Sequence, residues 1–102
     1  MTGYRLTQDA QSDVIEIRRC TSKEWGDAQS QKYLSQLRKT LRLLTETPTL
    51  GKRRSEVGPN VLSFPHASHV IYYFAHRQSL VVFAVLHKRM VPLNHITERD
   101  VI

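Results

Sequence analysis

An uninterrupted run of seven apolar residues, LVVFAVL at positions 80–86, constrains the fold more than any other feature of this sequence. Its three valines and the polar residues just before it favour a β-strand over a buried helix. A strand that is apolar at every position is typical of a sheet with both faces covered. We therefore expect residues 80–86 to form a central strand that the rest of the chain supports.

Length and charge narrow the class of protein. A chain of 102 residues with 40% hydrophobic residues predicts one folded domain over residues 1–102. Fifteen Lys and Arg against nine Asp and Glu give a net charge of +6, which favours an anionic partner such as nucleic acid or an acidic protein. Cys20 is the only cysteine, which excludes an intramolecular disulfide.

The sequence also indicates a cellular location. The N-terminus lacks the apolar segment of a signal peptide, and no apolar run approaches the roughly 18 residues of a membrane span. We therefore expect a cytoplasmic protein that makes no contact with a membrane.

Two amphipathic helices are predicted between a short strand at residues 4–6 and Pro48. Thr7 is the expected N-cap of the first helix, and its core-facing positions recur at helical spacing. These positions are Ala10, Val14, Ile17, Thr21 and Trp25. Asp13 is expected to face away from this stripe. Gly26 ends the first helix and Asp27 caps the second, whose leucines at 34, 37, 41 and 44 form its core-facing stripe.

Three strand segments follow a polar loop that runs from residue 48 to about residue 60. They lie at residues 61–64, 69–74 and 80–86, and the short turns between them predict an antiparallel meander. The order is therefore β-α-α-β-β-β. This order predicts an α+β domain of two layers, in which the N-terminal strand and a helical hairpin pack on a small antiparallel sheet. A short helix is also expected near residues 94–99.

Basic residues that directly follow the central strand form the first candidate site. The core fixes the position of His87, Lys88 and Arg89, because a buried strand leads into them. Alternation along a continuing strand would put His87 and Arg89 on one face and Lys88 on the other. These side chains are candidate contacts for an anionic or acidic partner.

A basic triplet in the polar loop forms the second candidate site. Lys52, Arg53 and Arg54 are adjacent in sequence and suit phosphates or an acidic peptide. The alternative is a solvated loop whose charges have no partner, and the sequence does not decide between the two.

Other chemistries have weaker support in the sequence. His66 and His69 are three residues apart but have no cysteine or carboxylate nearby, so no metal site is expected. Cys20 lies in a predicted helix beside the core stripe, which favours a structural role. Tyr72 and Tyr73 could stack nucleobases, although core packing is the more common role of strand aromatics. The glycines form no phosphate-binding loop, and we expect no cofactor.

A series of short motifs in fixed order gives the chain a resemblance to a known family. The motifs are Tyr4-Arg5-Leu6-Thr7, Trp25-Gly26, Pro48-Thr49-Leu50-Gly51 with Arg54 and Glu56, Ser63-Phe64-Pro65, His69-Val70-Ile71-Tyr72-Tyr73, and Val85-Leu86-His87 with Arg89-Met90. Over residues 3–91 the sequence resembles the ParE branch of the RelE/ParE superfamily, the toxins of bacterial type II toxin–antitoxin pairs. The resemblance implies the same β-α-α-β-β-β fold.

The resemblance also implies partners and a mode of action. It implies a cognate acidic antitoxin that is encoded beside the toxin and is partly disordered until it folds onto the toxin in a hetero-oligomer. It also implies that operator DNA is bound only through that antitoxin. Characterised ParE-like toxins stabilise the cleaved-DNA complex of DNA gyrase, so they are poisons and not enzymes. The basic triplet is then a candidate antitoxin contact. The target-binding residues carried over are His87, Lys88, Arg89 and Met90.

Two other functions stay open. Members of the RelE branch are ribosome-dependent messenger RNA endonucleases, which need a general base, a general acid and cations at the scissile phosphate. The residues that could form such a catalytic site are His87, Arg89, Arg54 and Glu56. The absence of any tyrosine after position 73 and of any carboxylate from 57 to 97 favours the non-enzymatic function. A nucleic-acid-binding module is the third possibility, supported by charge and aromatic residues alone.

Overall fold

The computed structural model describes residues 3–90 together with Pro92 and Ile96. Its elements are β1 (Gly3–Leu6), α1 (Gln8–Trp25), α2 (Asp27–Glu46), a 3-10 turn (Pro48–Leu50), β2 (Lys52–Arg53), β3 (Leu62–His66), β4 (His69–His76) and β5 (Ser79–His87). The predicted α+β class and the order of its main elements are confirmed. The helix expected near residues 94–99 lies outside the described residues, apart from Ile96.

The five strands form one mixed sheet in the order β1-β5-β4-β3-β2. Strands β3, β4 and β5 make the predicted antiparallel meander. The sheet differs from the predicted antiparallel one at its first strand, because β1 pairs with β5 in parallel. The helical hairpin and strands β2 to β4 lie between β1 and β5 in sequence, which provides the long connection that a parallel pair requires. With β1 on one side and β4 on the other, β5 is a central strand.

A short strand stands where a polar loop was predicted. Lys52 pairs with Ser63 and Arg53 with Leu62, which makes β2 an antiparallel edge strand of two residues. Two residues are too few to give an alternating pattern that the sequence could reveal. The 3-10 turn before β2 is held by the Tyr73 hydroxyl, which donates to the carbonyl of Pro48 at 2.7 Å.

Both faces of the sheet are covered by apolar residues. On one face, the four leucines of α2 that were predicted to form its stripe are buried against the sheet. A register shift opposite Tyr72 and Tyr73 interrupts the alternation of β5. As a result, β5 divides its residues unevenly: Leu80, Val82 and Val85 pack on the helix side, and Val81, Phe83, Ala84 and Leu86 pack on the other side. The second face also buries Ile96, which is 5% exposed.

The helix termini confirm one predicted cap and correct other expectations. The Thr7 hydroxyl accepts from the amide of Ala10 at 3.2 Å, as expected of an N-cap. Asp27 is not the cap of α2, since Gly26 holds that position with φ 87° and Asp27 is already helical. Trp25 is 50% exposed and not part of the core. Asp13 does not point away from the sheet, because its carboxylate accepts from the amide of Val85 at 3.0 Å.

The helices of the described part of the chain include none long and apolar enough to span a bilayer.

Candidate functional site

The basic residues after β5 form an exposed turn with a fixed backbone. Lys88 and Arg89 are exposed and follow the last residue of the strand, His87. The amide of Lys88 donates to the carbonyl of Ser68 at 2.9 Å, and the amide of Met90 donates to the carbonyl of His87 at 2.9 Å. Because the strand ends at His87, the predicted alternation of His87, Lys88 and Arg89 across a sheet does not apply. The two cations instead extend from a turn.

The ring of His87 stabilises this turn from inside. Its Nδ1 accepts from the amide of Arg89 at 3.1 Å, which places the proton of the neutral ring on Nε2. The ring also packs edge-on against His69, with 5.5 Å between ring centroids. Met90 remains 44% exposed at the end of the turn. His87 therefore supports the turn through its ring contact with His69 and its hydrogen bond at Nδ1. Lys88, Arg89 and Met90 are exposed.

Side-chain contacts connect His69 and its neighbour His66 to helix α2. The hydroxyl of Tyr33 lies 2.6 Å from Nδ1 of His69 and donates to the carbonyl of His66 at 3.1 Å. Since a hydroxyl has one proton, Nδ1 of His69 carries the proton that the hydroxyl oxygen accepts. The other ring, that of His66, lies with its Nδ1 3.0 Å from the hydroxyl of Thr40. Helix α2 thus holds the ends of β3 and β4 below the turn.

Burial sets the protonation state of this histidine cluster. Desolvation by burial, followed by the nearby His87 and His66, lowers the pKa of His69 to about 4, although Asp13 acts in the opposite direction. Burial likewise lowers the pKa of His66. His69 is therefore neutral near pH 7, where it serves as a hydrogen-bonding and packing group and not as a cation.

A groove of about 480 Å³ runs beside the turn, between α1 and the end of β5. Its walls include His69, His87, Met90 and the half-exposed indole of Trp25. Glu16 and Glu24 of α1 lie along it as well. The target-binding residues predicted from the sequence thus adjoin an apolar groove that the sequence did not indicate.

The three residues of the basic triplet lie in two different environments. Lys52 and Arg53 are exposed on the edge strand β2. Arg54 is half-buried: its Nε donates to the Ser63 hydroxyl at 2.8 Å, and its guanidinium carbon lies 5.7 Å from the centroid of the Tyr72 ring. Arg54 also pairs with Glu56 at 3.5 Å. Lys52 and Arg53 are therefore open to solvent, whereas the Arg54 side chain is 28% exposed and already engaged within the protein.

The residues proposed for an RNA-cleaving site are not brought together. His87 contacts His69, which bonds to α2 and so lies on the helix side of the sheet. Arg54 and Glu56 surround Tyr72, which packs in the core of the other side. The sheet therefore separates His87 from the Arg54–Glu56 pair.

Metal chemistry has no site in the part of the chain that the structure describes. Among residues 3–90, Pro92 and Ile96, no group of three or more His, Cys, Asp or Glu side chains could hold a metal ion. Cys20 is exposed on α1, and its thiol lies 3.6 Å from a carboxylate oxygen of Glu16.

Comparison with known proteins agrees with this architecture. A helical hairpin on a mixed sheet, with a cationic turn after the central strand, defines a class of small α+β proteins. Residues 4–92 match the family described as the ParE toxin of type II toxin–antitoxin systems, parDE. The chain therefore belongs to the ParE toxin family.

Individual relatives extend over most of the chain. It is 31% identical over 88 residues to Toxin ParE1 of Mycobacterium tuberculosis, covering 85% of this chain and 90% of the relative. It is 30% identical over 100 residues to Toxin ParE of Escherichia coli, covering 97% of each. A solved structure, titled the chromosomal ParDE TA system from P. aeruginosa, superposes with a TM-score of 0.73 at 13% identity over 85% of this chain and 96% of that one. This last similarity shows the fold.

Proposed function

We propose that this ParE-family toxin poisons DNA gyrase in the cytoplasm without catalysing a reaction, and that a cognate acidic antitoxin neutralises it. The observation that carries the proposal is the turn after β5. Lys88 and Arg89 are exposed there, and neither forms an ion pair with any of the described residues. Because hydrogen bonds fix the backbone of the turn, this backbone loses little conformational freedom when it meets an anionic protein–DNA complex.

The distribution of the alternative catalytic residues supports a poison over an endonuclease. Cleavage of RNA by its 2′-hydroxyl needs an acid and a base within reach of one phosphate. His87 lies on the helix side of the sheet and Arg54 with Glu56 on the other. A ribosome-dependent endonuclease is therefore the second candidate, and it lacks a specific observation in its favour.

Charge supports the expected antitoxin. The chain has a net charge of +6, and Lys52 and Arg53 are exposed on β2. An acidic segment that folds on binding can cover several such separate cations at once. We propose Lys52 and Arg53 as antitoxin contacts, with Arg54 restricted to a structural role.

A comparison of two reactions tests the proposed target. Purified toxin would be added to gyrase with plasmid DNA and, separately, to ribosomes with a messenger RNA. We expect lost supercoiling with trapped linear DNA, and uncut RNA. Lys88→Ala with Arg89→Ala should abolish most of this effect, whereas the matched control Arg19→Ala with Lys39→Ala should keep it. Cut RNA with normal supercoiling would replace the proposal by the endonuclease, and a fully active Lys88/Arg89 variant would exclude the turn as the gyrase contact.

A further inference from the structure

A cleft of about 420 Å³ lies between α1 and α2 and is lined only by residues of these two helices. Its lining includes Arg18 of α1 together with Leu34 and Arg38 of α2. It shares no residue with the groove beside the turn. The helical hairpin therefore offers a binding surface separate from the target-binding residues.

The floor of the cleft is rigid and already hydrogen-bonded. Ser30 is 1% exposed, and its hydroxyl oxygen lies 2.6 Å from that of Thr21. The Ser30 hydroxyl also lies within donating distance, 3.3 Å, of the Arg18 carbonyl. Leu34 adds an apolar patch that is 7% exposed. Because the serine hydroxyl is engaged within the hairpin, recognition of a ligand falls to the side chains of the walls.

The walls of the cleft carry two arginine side chains, Arg18 and Arg38. Neither Arg18 nor Arg38 forms an ion pair within the described part of the chain, whereas Arg19, next to Arg18, pairs with Glu16 at 3.3 Å. The only carboxylate of the lining is Asp27. It lies eleven residues from Arg38 on the same helix, or roughly 16 Å along the axis. Arg38 therefore lies away from the one carboxylate of the cleft.

Two guanidinium groups from different helices suit a carboxylate, which accepts paired hydrogen bonds from arginine. We propose that this cleft binds an acidic segment of the antitoxin, with a Glu or Asp carboxylate between Arg18 and Arg38. The assignment rests on the proposed neutralisation by an acidic antitoxin and specifies where that antitoxin is anchored. Since the cleft and the cationic turn share no residue, loss of the anchor removes neutralisation and leaves the toxic surface intact.

A pair of matched variants tests the anchor. Arg18→Ala with Arg38→Ala removes both cleft cations, and Arg19→Ala with Lys39→Ala removes two cations from the neighbouring positions of the same helices. The probe is the purified product of the gene adjacent to that of this chain, titrated against each toxin by calorimetry. We expect the cleft variant to bind about tenfold or more weakly, since charge-assisted pairs at an interface contribute at this level. The control should bind within about threefold of wild type, as expected for exposed charges.

Growth measurements give a second readout that a merely destabilised toxin would not reproduce. The cleft variant should stop growth when expressed alone and continue to do so when the antitoxin is co-expressed, while the control variant is rescued. If the Ala variant fails to fold, Arg18→Gln with Arg38→Gln keeps the first three side-chain carbons, replaces each guanidinium by a neutral amide, and decides the same question.

The possible results distinguish failure of the proposed antitoxin anchor at the Arg18–Arg38 cleft from failure of the proposed neutralisation by an antitoxin. Equal antitoxin affinity for the cleft and control variants would overturn the anchor and leave neutralisation by an antitoxin standing. No binding of the adjacent gene product to wild-type toxin would overturn both. A smaller salt dependence of binding for the cleft variant than for wild type would further support the anchor, because fewer ion pairs remain to be screened.

Discussion

The hydroxyl of Tyr33 and Nδ1 of His69 lie 2.6 Å apart, which joins α2 to β4 directly beneath the cationic turn. His69 contacts the ring of His87, and His87 in turn accepts from the amide of Arg89. A continuous series of contacts thus runs from the buried side of α2 to the exposed turn. The backbone of the turn is held in place because its support lies in the core.

Replacing Tyr33 by Phe should destabilise the protein. The variant keeps the ring but removes the contacts of the hydroxyl with His69 and the His66 carbonyl, and Tyr33 is only 7% exposed. Losing a hydrogen bond at such a site costs about 1–3 kcal/mol, measurable as a lower midpoint in urea. Tyr4→Phe is the matched control, since its hydroxyl makes no hydrogen bond with the described residues. Equal midpoints for the two variants would show that the Tyr33 hydroxyl contributes nothing to stability.

Stability should fall as the pH drops from about 6.5 to 4. His69 has an ordinary pKa of 6.5 when the chain is unfolded and a pKa of about 4 when folded. Between these values the unfolded chain binds a proton that the folded protein does not, so unfolding is favoured increasingly toward acid. His66 acts in the same direction, because burial lowers its pKa too.

Urea unfolding of wild type and His69→Gln at pH 7, 6, 5 and 4 would measure this effect. The carboxylates titrate in both proteins, so the difference between the two curves isolates His69. We expect the variant to lose less stability than wild type over this range. Parallel curves would contradict a lowered pKa at His69.

The fold was largely predictable because its main signals are local. The unbroken apolar run gave the central strand, and the spacing of Leu34, Leu37 and Leu41 gave the buried face of α2. The parallel pairing of β1 with β5 was missed because it joins residues about 76 positions apart, as in the pairing of Gly3 with Ser79, and no turn connects them. The two-residue strand β2 was missed because it is too short to show alternation.

The candidate site was predictable only in part. The buried strand indicated that His87, Lys88 and Arg89 follow directly from the core, but it did not indicate that Lys88 and Arg89 lie in a turn. The roles of Tyr33, Asp13 and the Arg18–Arg38 cleft depend on side chains that meet across elements, which helical periodicity cannot reveal. Trp25 was assigned to the core because its spacing fits the stripe, yet its indole is 50% exposed and lines the groove beside the turn.

Gly51→Ala should destabilise the protein because the added Cβ has too little space, and not because of the backbone conformation at this position. Gly51 has φ −71°, which alanine adopts readily. However, an added Cβ would overlap the Tyr73 hydroxyl and approach the Leu62 Cβ at 3.0 Å. Overpacking of this kind costs about 1–3 kcal/mol. Gly3→Ala is the control, because nothing lies within 4 Å of its added Cβ.

A double-mutant cycle identifies the cause of that loss. If the alanine displaces the Tyr73 hydroxyl from the Pro48 carbonyl, then Tyr73→Phe should cost less in the Gly51→Ala background than in wild type. Strictly additive losses in urea would show that the clash is relieved elsewhere. The glycine of the Pro48–Gly51 motif would then need another explanation than close approach to Tyr73.

Arg53→Ala and Arg54→Ala each remove one cation, and the two positions are adjacent in sequence. The two variants should nevertheless differ in their effect on stability. Arg54 donates to Ser63 at 2.8 Å and lies over the Tyr72 ring, so its loss should cost about 1–2 kcal/mol. Arg53 is exposed on an edge strand, so its loss should stay within about 0.5 kcal/mol. Urea midpoints measure both stability losses.

For antitoxin affinity we expect the reverse order, with Arg53→Ala the weaker binder, because a guanidinium held against Tyr72 is less available to a partner than one in solvent. Equal stability losses, or antitoxin binding that depends mainly on Arg54, would mean that the triplet acts as one cationic unit despite its division between two environments.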